Sequence, residues 1–157
     1  MTNCISNYNF PRSPVDSLAL TEKPSYFARM LVYEYPGIIQ LFYEAENRLF
    51  IHEWVEYNPE DQDDKVLIVL QKIYDLFLEY DADKVLVRVD QTKGVYSPEI
   101  QQFIRKVQFP RLVADTKLEY VAIIISEDKL RNIGAKIWWH PLLKYPEIKL
   151  REFVEEG

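Results

Sequence analysis

The chain has 157 residues, 19 Lys and Arg against 25 Asp and Glu, a net charge of −6, 48% hydrophobic and 14% aromatic residues, and only 4 Gly. This length fits one domain whose core needs no disulfide or metal, and the composition excludes a disordered chain. So few glycines argue against a Gly-rich phosphate cradle, and the acidic balance argues against nucleic-acid binding, which rests on many Lys and Arg contacts to phosphate.

The first segment, Met1 to Ser25, carries Pro11, Pro14 and Pro24 among Asn and Ser and has no sustained period. It is expected to form an irregular arm, over residues 1–28, on a single α/β domain spanning 29–157. Met30 to Tyr35 suits a short strand stopped by the turn signal Pro36-Gly37. Ile38 to Ala45 and Arg48 to Val55 are rich in branched and aromatic residues and read as a hairpin turning at Glu46-Asn47. Along the second of these strands Leu49, Ile51 and Glu53 alternate with Phe50, His52 and Trp54, so both faces carry apolar groups. Such a strand belongs inside a layered α/β domain.

A helix follows. Asn58 is its expected cap, Pro59 its first residue, and Glu60, Asp61, Asp63 and Asp64 suit the positive end of its dipole. Val66, Val69, Leu70, Ile73, Leu76, Phe77 and Tyr80 form its apolar stripe, with Leu67, Tyr74 and Leu78 to one side. Lys84 to Val89 reads as a strand ending at Asp90, and Ser97-Pro98-Glu99 as the start of a second helix with Ile100, Phe103, Ile104 and Val107 on one face. Pro110 is expected to end or kink that helix. Glu119 to Ser126 is nearly continuous in apolar residues and suits a central strand. Ser126 is placed to cap a third helix, Glu127 to about Trp139, closed by Pro141, and Ile148 to Val154 suits a last strand. Strands alternating with helices imply a mixed sheet of about five strands, an antiparallel hairpin joined to a parallel part, with helices packed on it.

Trp54, the strand Val85 to Asp90, Ser97-Pro98-Glu99, Phe109-Pro110-Arg111-Leu112, the strand Val121 to Ser126 and Arg151-Glu152-Phe153 together give a pattern that resembles the STAS superfamily. The likeness covers about Met30 to Phe153 and is nearest to the SpoIIAA-like branch and its uncharacterised bacterial members, which share topology with CRAL-TRIO lipid-binding domains. The resemblance implies a regulatory interaction module or a carrier of a small apolar or lipid ligand. Two departures weigh against a partner-switching antagonist. Where that group has an Asp-Ser-Ser-Gly-like phosphorylation context, this chain has Tyr96-Ser97-Pro98, so Ser97 alone is placed to inherit the role and Pro98 favours capping. The family's usual closing helix is also missing from the pattern.

Asp90 stands at the carboxyl end of a strand, where open α/β sheets place ligands. With Thr92, Tyr96 and Ser97 it is a candidate ligand or partner site. A polar pocket or Mg²⁺ site is the sharper reading, with Glu127 and Asp128 on the same edge, and a carboxylate capping its own loop is the favoured one. Thr92 occupies the second position of an Asp-x-Asp pair, which removes an aspartyl nucleophile. His52 and His140 are the only histidines, without metal-ligand spacing, and His52 is assigned to packing. No Gly-x-Ser-x-Gly is present, and Cys4, the only cysteine, has no neighbour that would activate it and permits no intrachain disulfide. Neither an enzyme nor a cofactor is expected.

Trp138 and Trp139 mark the most distinctive segment. From Ser126 to Arg151 six bases face three acids, whereas Glu44 to Asp64 holds eight acids and one Arg. Adjacent Trp with flanking Lys suits a protein interface and, less well, a membrane surface, while one Trp in the core is the plain structural alternative. Leu67, Tyr74 and Leu78 share a helix face suited to self-association. No segment approaches the ~20 apolar residues of a membrane span, and Met1 to Phe10 lacks the features of a signal peptide. The expectation is a cytoplasmic, non-enzymatic module with a protein partner or a second copy of itself. A small apolar ligand is the alternative, and an enzyme working near Asp90 a weaker one.

Overall fold

The computed structural model describes residues 29–55, 59–90, 96–127, 136 and 139–155, with the backbone alone described at 59–61 and 155. The arm expected over residues 1–28 lies outside them.

Three antiparallel strands come first: β1 (Arg29–Tyr35), β2 (Ile39–Glu44) and β3 (Leu49–Trp54). The β1–β2 turn closes with Ile38 N–H donating to Tyr35 C=O at 3.0 Å. Pro36 sets its first corner, and Gly37, at φ +79°, takes the left-handed corner that a side chain would strain. Helix α1 (Pro59–Glu79) crosses to β4 (Lys84–Arg88). A second helical run, α2 (Pro98–Phe103), a π turn (Ile104–Gln108) and α3 (Phe109–Asp115), leads to β5 (Tyr120–Ser126). A 3₁₀ turn (His140–Lys144) precedes β6 (Lys149–Glu155).

The six strands lie in sequence order, β1 to β6, with β3 to β6 parallel. The sheet has six strands where about five are expected, because the short strand expected at Met30 to Tyr35 joins it as its antiparallel edge. Because the order never reverses, successive right-handed crossovers step the same way and place their helices on one face. The packing bears this out. Val66, Val69, Ile73 and Phe77 of α1 and Ile100, Ile104 and Leu112 of the second run share one core with Phe50, Trp54, Val85, Val121 and Ile123 of the sheet. Leu49, Ile51, Leu86, Ala122 and Ile124, alternating with them, form a smaller buried cluster on the opposite face. Both faces of β3 are therefore apolar and buried, as its residue alternation implies.

Pro110 does not end the helical run. The helical run continues to Asp115, because the π turn just before Pro110 widens the ladder and Phe109 N–H bonds back to Ile104 C=O. The missing proline N–H then sits in the first turn of α3, where it is not needed. Lys136 and Trp139 are α-helical, and at His140 the helix gives way to the 3₁₀ turn, with Pro141 in its first turn, so the α-helical run ends where Pro141 is expected to close it. Most of the third helix expected after Ser126 lies outside the described residues, and Ser126 is the last residue of β5.

Candidate functional site

Between the helical layer and β3–β5 lies a cavity of ≈ 60 Å³, its wall almost wholly apolar and including Phe77 and Leu112. The strand alternation puts His52 on the same face as Phe50 and Trp54, so its imidazole points toward the helices and forms part of this wall. The side chain is 5% exposed, and its ring lies 6.3 Å from Phe77 and 6.1 Å from Phe50. Neither ring nitrogen has a hydrogen-bond partner among the described residues. Burial alone therefore acts on the group and pushes its pKa down to about 3, since desolvation penalises the charged form.

Trp54 and Tyr96 belong to the same wall, their rings 6.2 Å apart and edge-on at 72°. Gln108, from the π turn, supplies a further polar side chain, and both ends of its amide are bonded. Its Nε2 donates to Leu70 C=O at 2.9 Å, and its Oε1 accepts from Arg111 Nε at 3.1 Å and Nη2 at 2.6 Å. The π turn thus has a visible role: it rotates Gln108 inward to brace α1 while Ile104 lines the cavity.

Among the described residues proposed from sequence as ligand, partner or self-association sites, only Tyr96 reaches this cavity. Asp90 is buried but belongs to the other side of the sheet, in register with Arg88, whose Nε and Nη2 each donate to its carboxylate at 3.3 Å. The sheet order also has no reversal among the described strands, so no switch-point crevice opens at the end of β4. Ser97 caps α2, its Oγ accepting from Ile100 N–H at 3.3 Å, as Pro98 suggested. Thr92 and Trp138 lie outside the described residues. Trp139 is buried in the main core, 6% exposed, and its Nε1 has no hydrogen-bond partner among the described residues.

Leu67, Tyr74 and Leu78 are not equivalent on α1. Leu67 and Tyr74 pack partly against the core, whereas Leu78 is exposed. Tyr74 is occupied by the second helical run. Its hydroxyl donates to Asp115 Oδ2 at 2.7 Å, which raises its pKa, and the Arg111 guanidinium sits 4.3 Å from the ring centre. On the other flank of α1, Leu67, Ile68, Gln71, Lys72 and Asp75 form a shallow groove with Tyr33 of β1.

His52 and Gln108 are the residues that sequence reasoning passed over as functional candidates. The alternation of β3 gave the side on which His52 lies, but nothing in it foretold a cavity. Gln108 needed the π turn, which has no sequence signature here. No group of three or more His, Cys, Asp or Glu among the described residues could hold a metal ion. No described helix is long and apolar enough to cross a membrane. Comparison with family models, curated proteins and solved structures gives no match for this chain.

Proposed function

We propose that the chain is a non-catalytic, STAS-like interaction module that works in the cytoplasm as a homodimer, joined through the edge of β1 that faces away from β2. The observation carrying this reading is the row of exposed apolar side chains along that edge. Strand β1 has only β2 beside it among the described strands. Met30 and Leu31 on it are 52% and 48% exposed, and the groove alongside is lined by Tyr33, Leu67 and Ile68, the last 54% exposed. Pairing with β2 puts Met30 and Tyr33 on the helix face of the sheet and Arg29 and Glu34 on the other.

A second β1 laid antiparallel across a two-fold axis, with Arg29 of each copy opposite Glu34 of the other, also sets Met30 opposite Tyr33. Residues of opposite charge then face each other, Arg29 beside its own Glu53 and Glu34 beside its own Gln40, and each Met30 reaches the other copy's groove, where Leu67 and Ile68 stand among Gln71, Lys72 and Asp75. Strand addition of this kind draws affinity from main-chain hydrogen bonds and specificity from the side-chain pockets. Support for a non-catalytic role comes from how the polar candidates are used: Asp90 is ion-paired, Ser97 caps a helix and His52 is neutral in an apolar wall. The alternation of hairpin, helix and parallel strand supports the family likeness, and a single cysteine suits a reducing compartment.

Sedimentation velocity and light scattering across a wide concentration range test the proposal. The expected result is a dimer for the native chain and a monomer of unchanged circular dichroism for the double variant Met30→Lys, Ile68→Lys. A strict monomer at the highest concentration, or a double variant that still dimerises, refutes it.

A further inference from the structure

The cavity beneath Trp54 and Tyr96 has an unusual balance of groups, and it stands apart from the β1 edge. None of the described residues that line it carries a charge, Gln108 directs its amide to Leu70 and Arg111, and the His52 imidazole, which has no hydrogen-bond partner among the described residues, stands in the wall with the Trp54 indole and the Tyr96 phenol. Burying an imidazole without a partner costs free energy that the fold must recover elsewhere. Water is a poor remedy, because a buried water needs two to four polar partners and the surface of this wall is almost wholly apolar. The volume of ≈ 60 Å³ holds about five water-sized groups, by the space one water probe occupies. A molecule with an apolar body and one polar atom suits such a wall better than a string of waters.

We infer that this cavity is a binding site for a small neutral molecule of a few non-hydrogen atoms, chiefly apolar and bearing one hydroxyl or carbonyl group, with the His52 imidazole as its hydrogen-bond partner. A neutral imidazole presents one N–H donor and one bare nitrogen acceptor, so it serves a carbonyl through the first and a hydroxyl through either. The apolar body rests against Phe77 and Leu112, which leaves no charge unpaired and favours no charged ligand. Specificity follows from the same geometry, since a site built around one hydrogen bond rejects the analogue that lacks it.

The test uses the full chain with two probes, 2-propanol, which has an apolar body and a hydroxyl, and xenon, which fills space without hydrogen bonding. Nuclear magnetic resonance follows the ring nitrogens of His52 and the methyl groups of Ile73 and Leu112. The alcohol is expected to shift both sets with one saturation curve, and xenon the methyl groups alone. In His52→Leu, xenon affinity stays within about twofold while the alcohol binds about tenfold more weakly, the value of one lost net hydrogen bond. Ring nitrogens that do not respond to the alcohol overturn the assignment, as does an alcohol affinity unchanged in His52→Leu. If that variant fails to fold, the ring-nitrogen response of the native chain decides by itself. Dimerisation is measured separately and has no bearing on either outcome.

Discussion

Acidification probes the burial of His52 directly. In the folded chain its pKa is pushed down to about 3, against 6.5 for the free side chain. The folded state therefore keeps His52 neutral while the unfolded chain takes up a proton as the pH falls. The sign follows: this contribution to stability is intact above the unfolded value and is lost as the pH drops from about 6.5 toward 3. Between about pH 7 and pH 5 the unfolded imidazole goes from mostly neutral to mostly protonated, and integrating its uptake gives a loss of about 2 kcal/mol. Other groups titrate over the same interval, so the measurement is a difference. Urea unfolding of the native chain and of His52→Leu at both pH values gives two stability changes, and the native chain is expected to lose about 2 kcal/mol more. Equal pH dependence in the two proteins would mean that His52 is solvated or paired, and the account of the cavity wall would fall with it.

Other perturbations separate the parts of the fold. Gln108→Met removes the bonds to Leu70 and to Arg111, and should cost about 2 kcal/mol, lowering the melting temperature by about 4–8 °C; a shift under a degree would show that the π turn does not brace α1. Ser97→Ala removes the cap on Ile100 N–H and should cost about 1 kcal/mol, seen in thermal unfolding with no change in oligomeric state. Ile123→Ala, at a fully buried site on a central strand, should cost about 3 kcal/mol by the cavity it leaves, and a loss under about 1 kcal/mol in urea would place that strand elsewhere.

Much of the architecture lies in local pattern. The Pro36-Gly37 turn, the hairpin of β2 and β3, the acidic start of α1 and the Ser97 cap each follow from residues a few positions apart. Their physics is equally local: fixed proline φ, the freedom of Gly37, the dipole at Pro59 and a hydroxyl three residues from an orphan N–H. The run Val121 to Ile125 marks a central strand because nearly every residue in it is apolar, which only burial on both faces accommodates.

What the chain does with its polar residues was less visible. Asp90 looks like a ligand-site carboxylate from its place at the end of a strand, but the strand order, which no local pattern records, puts no crevice there and turns the side chain to Arg88. Tyr74 seems free to associate until the second helical run brings Asp115 and Arg111 against it. Trp139 stands beside an identical neighbour in sequence, and only packing puts it in the core.

Length, charge and few glycines bounded the protein from the outset. By itself the sequence determined the α/β layering and the identity of most strands and helices, because these rest on periodicity and composition. The tertiary structure alone decided that the helices share one face, that a π turn carries Gln108 inward past Pro110, and that His52 borders a cavity with no partner. Those features depend on the direction of each crossover and on the fit between layers, and both arise from contacts between residues far apart in the chain.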